Sequence, residues 1–148
     1  MSKVGMIVAK DPATFAPAMP HLANTRDYVN NSGLSRAAIF NRVEASLARL
    51  NTSYIDVLQI HVPDRSTPFE ETMKALHDLV TMGKVRYIGA CNLRAWVFAE
   101  MNHVAEMNGW TKFSSIQVEH SLLYRTEVGF ADRSALDLRL IIVGSRDD

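Results

Sequence analysis

The stretch from Tyr54 to Pro63, YIDVLQIHVP, decides the fold. YIDVLQI is a short, apolar, β-branched run with the length of a buried strand, and His61 stands directly at its end. Upstream, LSRAAIFNRVEASLARL sets Ile39, Val43, Leu47 and Leu50 on one helical stripe, with Arg42, Glu44 and Arg49 off it and Ser35 as the N-cap. Downstream, Thr67, Pro68 and Glu70 read as an N-cap, a first-turn proline and a capping-box glutamate. The helix they open turns Phe69, Met73, Leu76 and Val80 inward and stops at Gly83.

The same pattern then repeats. Val85 to Ala90 (VRYIGA) is a second strand, Trp96 to Asn108 an amphipathic helix ended by Gly109, and Phe113 to Val118 (FSSIQV) a third strand. Strand starts recur about every 30 residues, the interval of successive βα units. Strands alternating with amphipathic helices imply a parallel sheet with right-handed crossovers, and the interval alone leaves it open or closed. Lys3 to Ala9 is a candidate further strand. Pro12 to Ser32 reads as a long loop, of a length often functional. From Glu127 to Asp148 the rhythm is lost until a short apolar run, Leu138 to Val143.

Composition narrows the function. The chain has 148 residues, 16 Lys and Arg against 16 Asp and Glu, and one cysteine, Cys91. Balanced charge removes the electrostatic case for binding nucleic acid or an anionic membrane surface. One cysteine excludes an intrachain disulfide framework and a cysteine-rich zinc cluster. With no apolar run of membrane-spanning length and no secretory pattern in MSKVGMIVAK, an intracellular, cytoplasmic protein is expected.

No phosphate loop, GxGxxG, GxSxG or HExxH is present. In parallel α/β sheets, chemistry gathers at the C-terminal strand ends. Lys3 (or Lys10), His61, Asn92 and Gln117 occupy those positions, although polar residues also end strands simply where loops begin. For His61 two readings stay open. It donates a hydrogen bond to a substrate carbonyl, or it is satisfied by backbone at a strand end. His77 and His103, mid-helix, read as surface or packing residues, and nothing is assigned to His21. Tyr54 and Tyr87 read as packing residues, and a role for Tyr28 at the site is not favoured.

DVLQIHVP, GKVRYIGACN and IQVE, in this order and spacing, resemble the aldo-keto reductases, especially their fungal branch. The resemblance runs from Met1 to Thr126. It implies an α/β fold, a partial (β/α)8 TIM-type barrel holding strands three to six, with 127–148 a divergent or frameshifted tail. It further implies NADPH as cofactor and a small-molecule aldehyde or ketone as substrate, in fungal secondary metabolism. His61 matches the family's catalytic histidine, and Lys3 the lysine that lowers the pKa of the proton-donating tyrosine. Asn92 and Gln117 match residues that hold the nicotinamide carboxamide.

The departures are specific. Cys91 stands where the family usually has serine, a weaker partner for the carboxamide. Ile116 replaces an asparagine before Gln117, and Val62 replaces the larger residue after the histidine. The family's catalytic Tyr and Asp belong to strands outside this correspondence. Two functions therefore remain: a carbonyl reductase, or a truncated, inactive remnant or assembly partner that self-associates through exposed barrel edges.

Overall fold

The computed structural model describes residues 1–8, 25–26, 28–29, 31–119 and 141–145. In chain order these form β1 (Ser2–Val4), α1 (Arg36–Leu50), β2 (Ile55–Ile60), α2 (Phe69–Thr81), β3 (Val85–Cys91), α3 (Ala95–Met107), β4 (Ser115–Glu119) and β5 (Ile141–Ser145). The strands lie side by side in chain order and every neighbouring pair is parallel. This is the repeated βα arrangement the sequence predicts. The described sheet is open, with β1 and β5 at its ends. Leu138 to Val143, the one apolar run of the tail, overlaps β5, which pairs in register with β4.

Strand alternation divides the sheet into two chemically different faces. The row Val4, Ile60, Ala90 and Ile116 is in register, and all four residues are buried. Leu58 and Ile88 share that face and are fully buried. Ile39, Val43, Met73, Leu76, Phe98 and Met101, from the three helices, belong to the same apolar cluster. Burying each such side chain contributes about 1.5–3 kcal/mol, so this helix-covered layer supplies most of the fold's cohesion. The opposite face carries Lys3, Gln59, Gly89 and Ser115 in one row.

Helix ends confirm some cap assignments and correct others. Ser35 Oγ accepts from the Ala38 N–H at the start of α1. Gly83 follows α2 at a φ of 72°, the left-handed position glycine takes without strain. Thr67, however, is not a cap. Pro68 holds the N-cap position of α2 without a side-chain bond, and the Thr67 hydroxyl donates instead to Asp64 Oδ2 at 2.8 Å. The helix opens one residue later than the motif implies, so Thr67 lies before the cap position and its hydroxyl serves the Asp64 turn.

Three burial expectations also change. Leu50 is 57% exposed because α1 ends there, beyond the sheet-covering stripe. Arg42 is buried; its Nε donates to the Asn31 carbonyl at 2.8 Å and its Nη2 to the same oxygen. The chain entering α1 thus crosses a helix face that looks solvated in sequence. Tyr54 and Tyr87 are exposed rather than packed in the core, and Tyr54 lies under the Arg86 guanidinium, 3.9 Å from ring centre. β1 is shorter than Lys3 to Ala9, because Gly5 turns the chain away at a φ of 114°. Lys10, His21 and Tyr124 lie outside the described residues.

Candidate active site

The polar face of the sheet is built around Gly89. A Cβ there would overlap Ser115 Oγ and lie 3.1 Å from the Ser115 carbonyl oxygen and 3.2 Å from Gln59 Cγ. Only glycine lets Gln59 and Ser115 close over β3 from both sides. Both flanking residues are buried, and Gln59 Oε1 and Ser115 Oγ have no hydrogen-bond partner among the described residues. Sequence reading missed this pair. The signals were a glutamine inside an apolar strand, DVLQI, and a glycine inside another, YIGA.

One step toward the C-terminal edge lie the residues predicted to carry chemistry. Lys3 extends from β1 to place Nζ 3.5 Å from Sγ of Cys91, the last residue of β3. Cys91 is buried and in register with Gln117 on β4. The Gln117 side chain is buried too, its Oε1 without a partner among the described residues. Gln117 lies inside β4, which runs on to Glu119, rather than at its end. His61 leaves β2 two residues after Gln59, and its backbone N–H donates to the Val4 carbonyl at 2.8 Å. Alternation therefore assigns Lys3, His61, Cys91 and Gln117 to one face.

Asn92 completes the edge. It adopts a φ of 52°, a left-handed conformation that asparagine tolerates better than most residues. Its N–H donates to the Gln117 carbonyl at 2.9 Å, continuing the β3–β4 ladder by one bond, while its side chain is exposed. Strained, non-glycine backbone of this kind concentrates at functional sites.

The turn after His61 is held by Asp64. Its carboxylate accepts from the Leu34 N–H at 2.7 Å, from the Ser66 N–H and hydroxyl, and from Thr67. Partial burial pushes its pKa up, but the bonds from Ser66, Leu34 and Thr67 outweigh it and hold the pKa at about 2. This turn and the start of α3 enclose a cleft of about 760 Å³ that reaches Asn92. His77 packs as expected. Its Nδ1 lies 3.1 Å from Thr111 Oγ1, and its ring stacks on Trp110. His103 is exposed. Among the described residues, no three His, Cys, Asp or Glu side chains converge as metal ligands.

Parallel βα units thus gather lysine, histidine and amide side chains at the C-terminal edge of an open α/β sheet, the edge where such folds place their sites. The comparisons with known proteins agree. A profile of the Aldo/keto reductase family matches residues 3–134, and the chain belongs to that family. The match extends past Thr126, into the first part of the tail. Aldo-keto reductase AFTS1 of Alternaria alternata is 65% identical over 103 residues, which cover 70% of this chain and 28% of that protein. Aldo-keto reductase dtxS3 of Metarhizium robertsii is 55% identical over 126 residues, 81% of this chain and 34% of that one. Versiconal hemiacetal acetate reductase of Aspergillus parasiticus is 54% identical over 104 residues, 70% of this chain and 30% of that one. The chain thus spans about a third of the length of the curated relatives it matches. Among the described residues, no helix is long and apolar enough to cross a membrane.

Proposed function

We propose that this chain forms the histidine- and amide-bearing part of an NADPH-dependent reductase of aldehydes or ketones. The observation that carries the reading is the convergence of Lys3, His61, Cys91, Asn92 and Gln117 at one edge of a parallel sheet, in a chain of this family. The residues present suit a nicotinamide. Gln117 offers a buried acceptor without a partner among the described residues and Asn92 an exposed carboxamide, the complement of a ligand amide that both donates and accepts. Bound NADPH would supply hydride to the substrate's carbonyl carbon.

Each protein group then has a defined task. The His61 imidazole hydrogen-bonds the carbonyl oxygen and draws electron density toward it, making the carbon more electrophilic. The Lys3 ammonium stabilises negative charge developing on that oxygen and lowers the pKa of a neighbouring proton donor. Cys91 occupies a position where a hydroxyl would hold the amide more firmly. A cytoplasmic setting and a substrate from fungal secondary metabolism are part of the same proposal.

The second reading is a chain without turnover of its own, acting as a remnant or as an assembly partner. The placement of Tyr54 and Tyr87 favours it. Tyr87 precedes Cys91 by four residues on the same strand, about 13 Å at the usual strand rise, and Tyr54 precedes β2 altogether. Neither reaches the edge where a proton would be delivered.

The test follows nicotinamide absorbance with purified chain, NADPH and a panel of reactive aldehydes and quinones. Turnover that disappears in His61→Ala is the expected result for a reductase. Absence of turnover in both proteins is the result expected for the second reading.

A further inference from the structure

We infer that the cleft between the β2–α2 turn and the start of α3 binds an anionic aromatic molecule, one bearing a carboxylate or ionised phenol. Two cations face it. Arg65 comes from the turn and Arg94 from the residue before α3; both are exposed, and neither has an ion-pair partner among the described residues. The single carboxylate on the wall, Asp64, already accepts four hydrogen bonds, so it shapes the turn rather than cancelling the arginines.

The remaining wall is made for a ring. Trp96 lines the cleft and is 64% exposed, an apolar surface left uncovered beside two guanidinium groups. The other tryptophan, Trp110, is half-buried against the core and stacked on His77, so exposure is peculiar to Trp96. Phe69 and Pro63 extend the apolar lining. A volume of about 760 Å³ is in the range of small-molecule sites. Guanidinium groups grip carboxylates in paired hydrogen bonds, and an indole face stacks on a flat ligand.

Aromatic lining distinguishes this surface from a phosphate cradle, which uses glycine-rich backbone. The cleft also reaches Asn92, where the proposed function holds the nicotinamide amide. In assigning the ligand as the reductase's substrate, the inference rests on that reading. The binding claim itself does not.

Isothermal titration of the full chain with 1-naphthoate, and separately with neutral 1-naphthamide, inorganic phosphate and ADP, tests it. The expected result is saturable naphthoate binding, at least tenfold tighter than the amide, phosphate or ADP. Arg65→Ala and Arg94→Ala should each weaken it by roughly tenfold or more, the usual loss for a charged hydrogen bond. Trp96→Ala should weaken it as well, while Arg86→Ala, on the far part of the sheet, leaves it unchanged. All four positions are exposed, so circular dichroism should show intact folding. No naphthoate binding, equal binding of the amide, or indifference to both arginine changes would overturn the proposal, and tighter phosphate or ADP binding would reassign the arginines to a nucleotide. Turnover separates the two readings. Naphthoate binding without carbonyl reduction sinks the reductase and keeps the site. Reduction without preference for carboxylated aldehydes over neutral ones overturns the ligand's assignment as substrate and keeps the reductase.

Discussion

Lys3 on β1 reaches across the whole width of β2 to set its Nζ 3.5 Å from the Cys91 sulfur on β3. Neighbouring strands are about 4.8 Å apart, so the lysine stem spans the better part of two strand spacings. Its Cα is level with Gln59 and Gly89, yet its tip contacts a residue two positions further along β3. The side chain therefore leans toward the edge that also holds His61, Asn92 and Gln117. A three-residue strand thus delivers a cation to the site from two strands away.

Cys91→Ser should tighten NADPH binding. A hydroxyl is a better hydrogen-bond partner than a thiol for both the Lys3 ammonium and a ligand amide. One improved bond is worth about 0.5–1.5 kcal/mol, roughly two- to tenfold in affinity. Titration by nucleotide fluorescence measures it, and weaker binding in the serine variant would contradict the role given to position 91.

Gly89→Ala should destabilise the fold by about 1–3 kcal/mol, the usual cost of forcing a methyl into filled space. Part of the clash is with the Ser115 side chain and part with its backbone carbonyl. The double change Gly89→Ala with Ser115→Gly should therefore recover some of the loss but not all. Urea unfolding midpoints of both variants and the unchanged protein check this. Full recovery would mean that the side chain alone closes over β3.

The two faces of the sheet were unequally legible in sequence. Apolar periodicity exposed the helix-covered face, because Ile39, Val43, Met73 and Leu76 recur at helical spacing. His61 and Asn92 follow β2 and β3 directly, as expected where parallel sheets put loops, whereas Lys3 and Gln117 lie inside β1 and β4 and Cys91 is legible only through the family resemblance. Gln59 and Ser115 were hidden, since a lone polar residue in an apolar run has no period to announce it. Arg42 misled for a related reason: its partner is a backbone carbonyl, Asn31, and backbone acceptors leave no trace in a residue pattern. The cleft was illegible because Arg65 and Trp96 belong to different βα units.

Asp64 should make the fold sensitive to acid. Its pKa in the folded chain, about 2, lies below the ordinary 3.8. A depressed carboxylate stabilises the fold above its unfolded pKa and loses that contribution as pH falls through the folded one. The stability it adds should therefore be present above about pH 4 and gone near pH 2. Asp64→Asn should lower the melting temperature at pH 7, removing charged hydrogen bonds to Leu34, Ser66 and Thr67. It should also flatten the dependence between pH 4 and 2. Thermal melts of both proteins across that window decide it, and parallel curves would place the acid sensitivity elsewhere.

The ends of the described sheet should make the isolated chain associate. Among the described residues β1 and β5 each pair on one side only, and an edge left so offers unpaired N–H and C=O groups to another chain. Light scattering coupled to size-exclusion chromatography is expected to show species larger than 16.6 kDa that increase with concentration. A monodisperse monomer across a hundredfold range of concentration would show that these edges are covered.

Asn92 joins backbone strain to ligand binding, and two substitutions separate them. Its φ of 52° costs an ordinary residue about 1–2 kcal/mol, and glycine next to nothing. Asn92→Ala should lower stability by about that amount, while Asn92→Gly should leave it nearly unchanged. Both lose the carboxamide, so both should weaken NADPH binding to a similar degree, by roughly fivefold for one hydrogen bond of about 1 kcal/mol. The N–H bond to the Gln117 carbonyl survives in either variant, so the β3–β4 ladder stays intact. Chemical denaturation and nucleotide titration together give the answer. If Asn92→Gly binds NADPH as tightly as the unchanged protein, the asparagine is there for its backbone alone, and the amide assigned to the nicotinamide must be sought on another side chain.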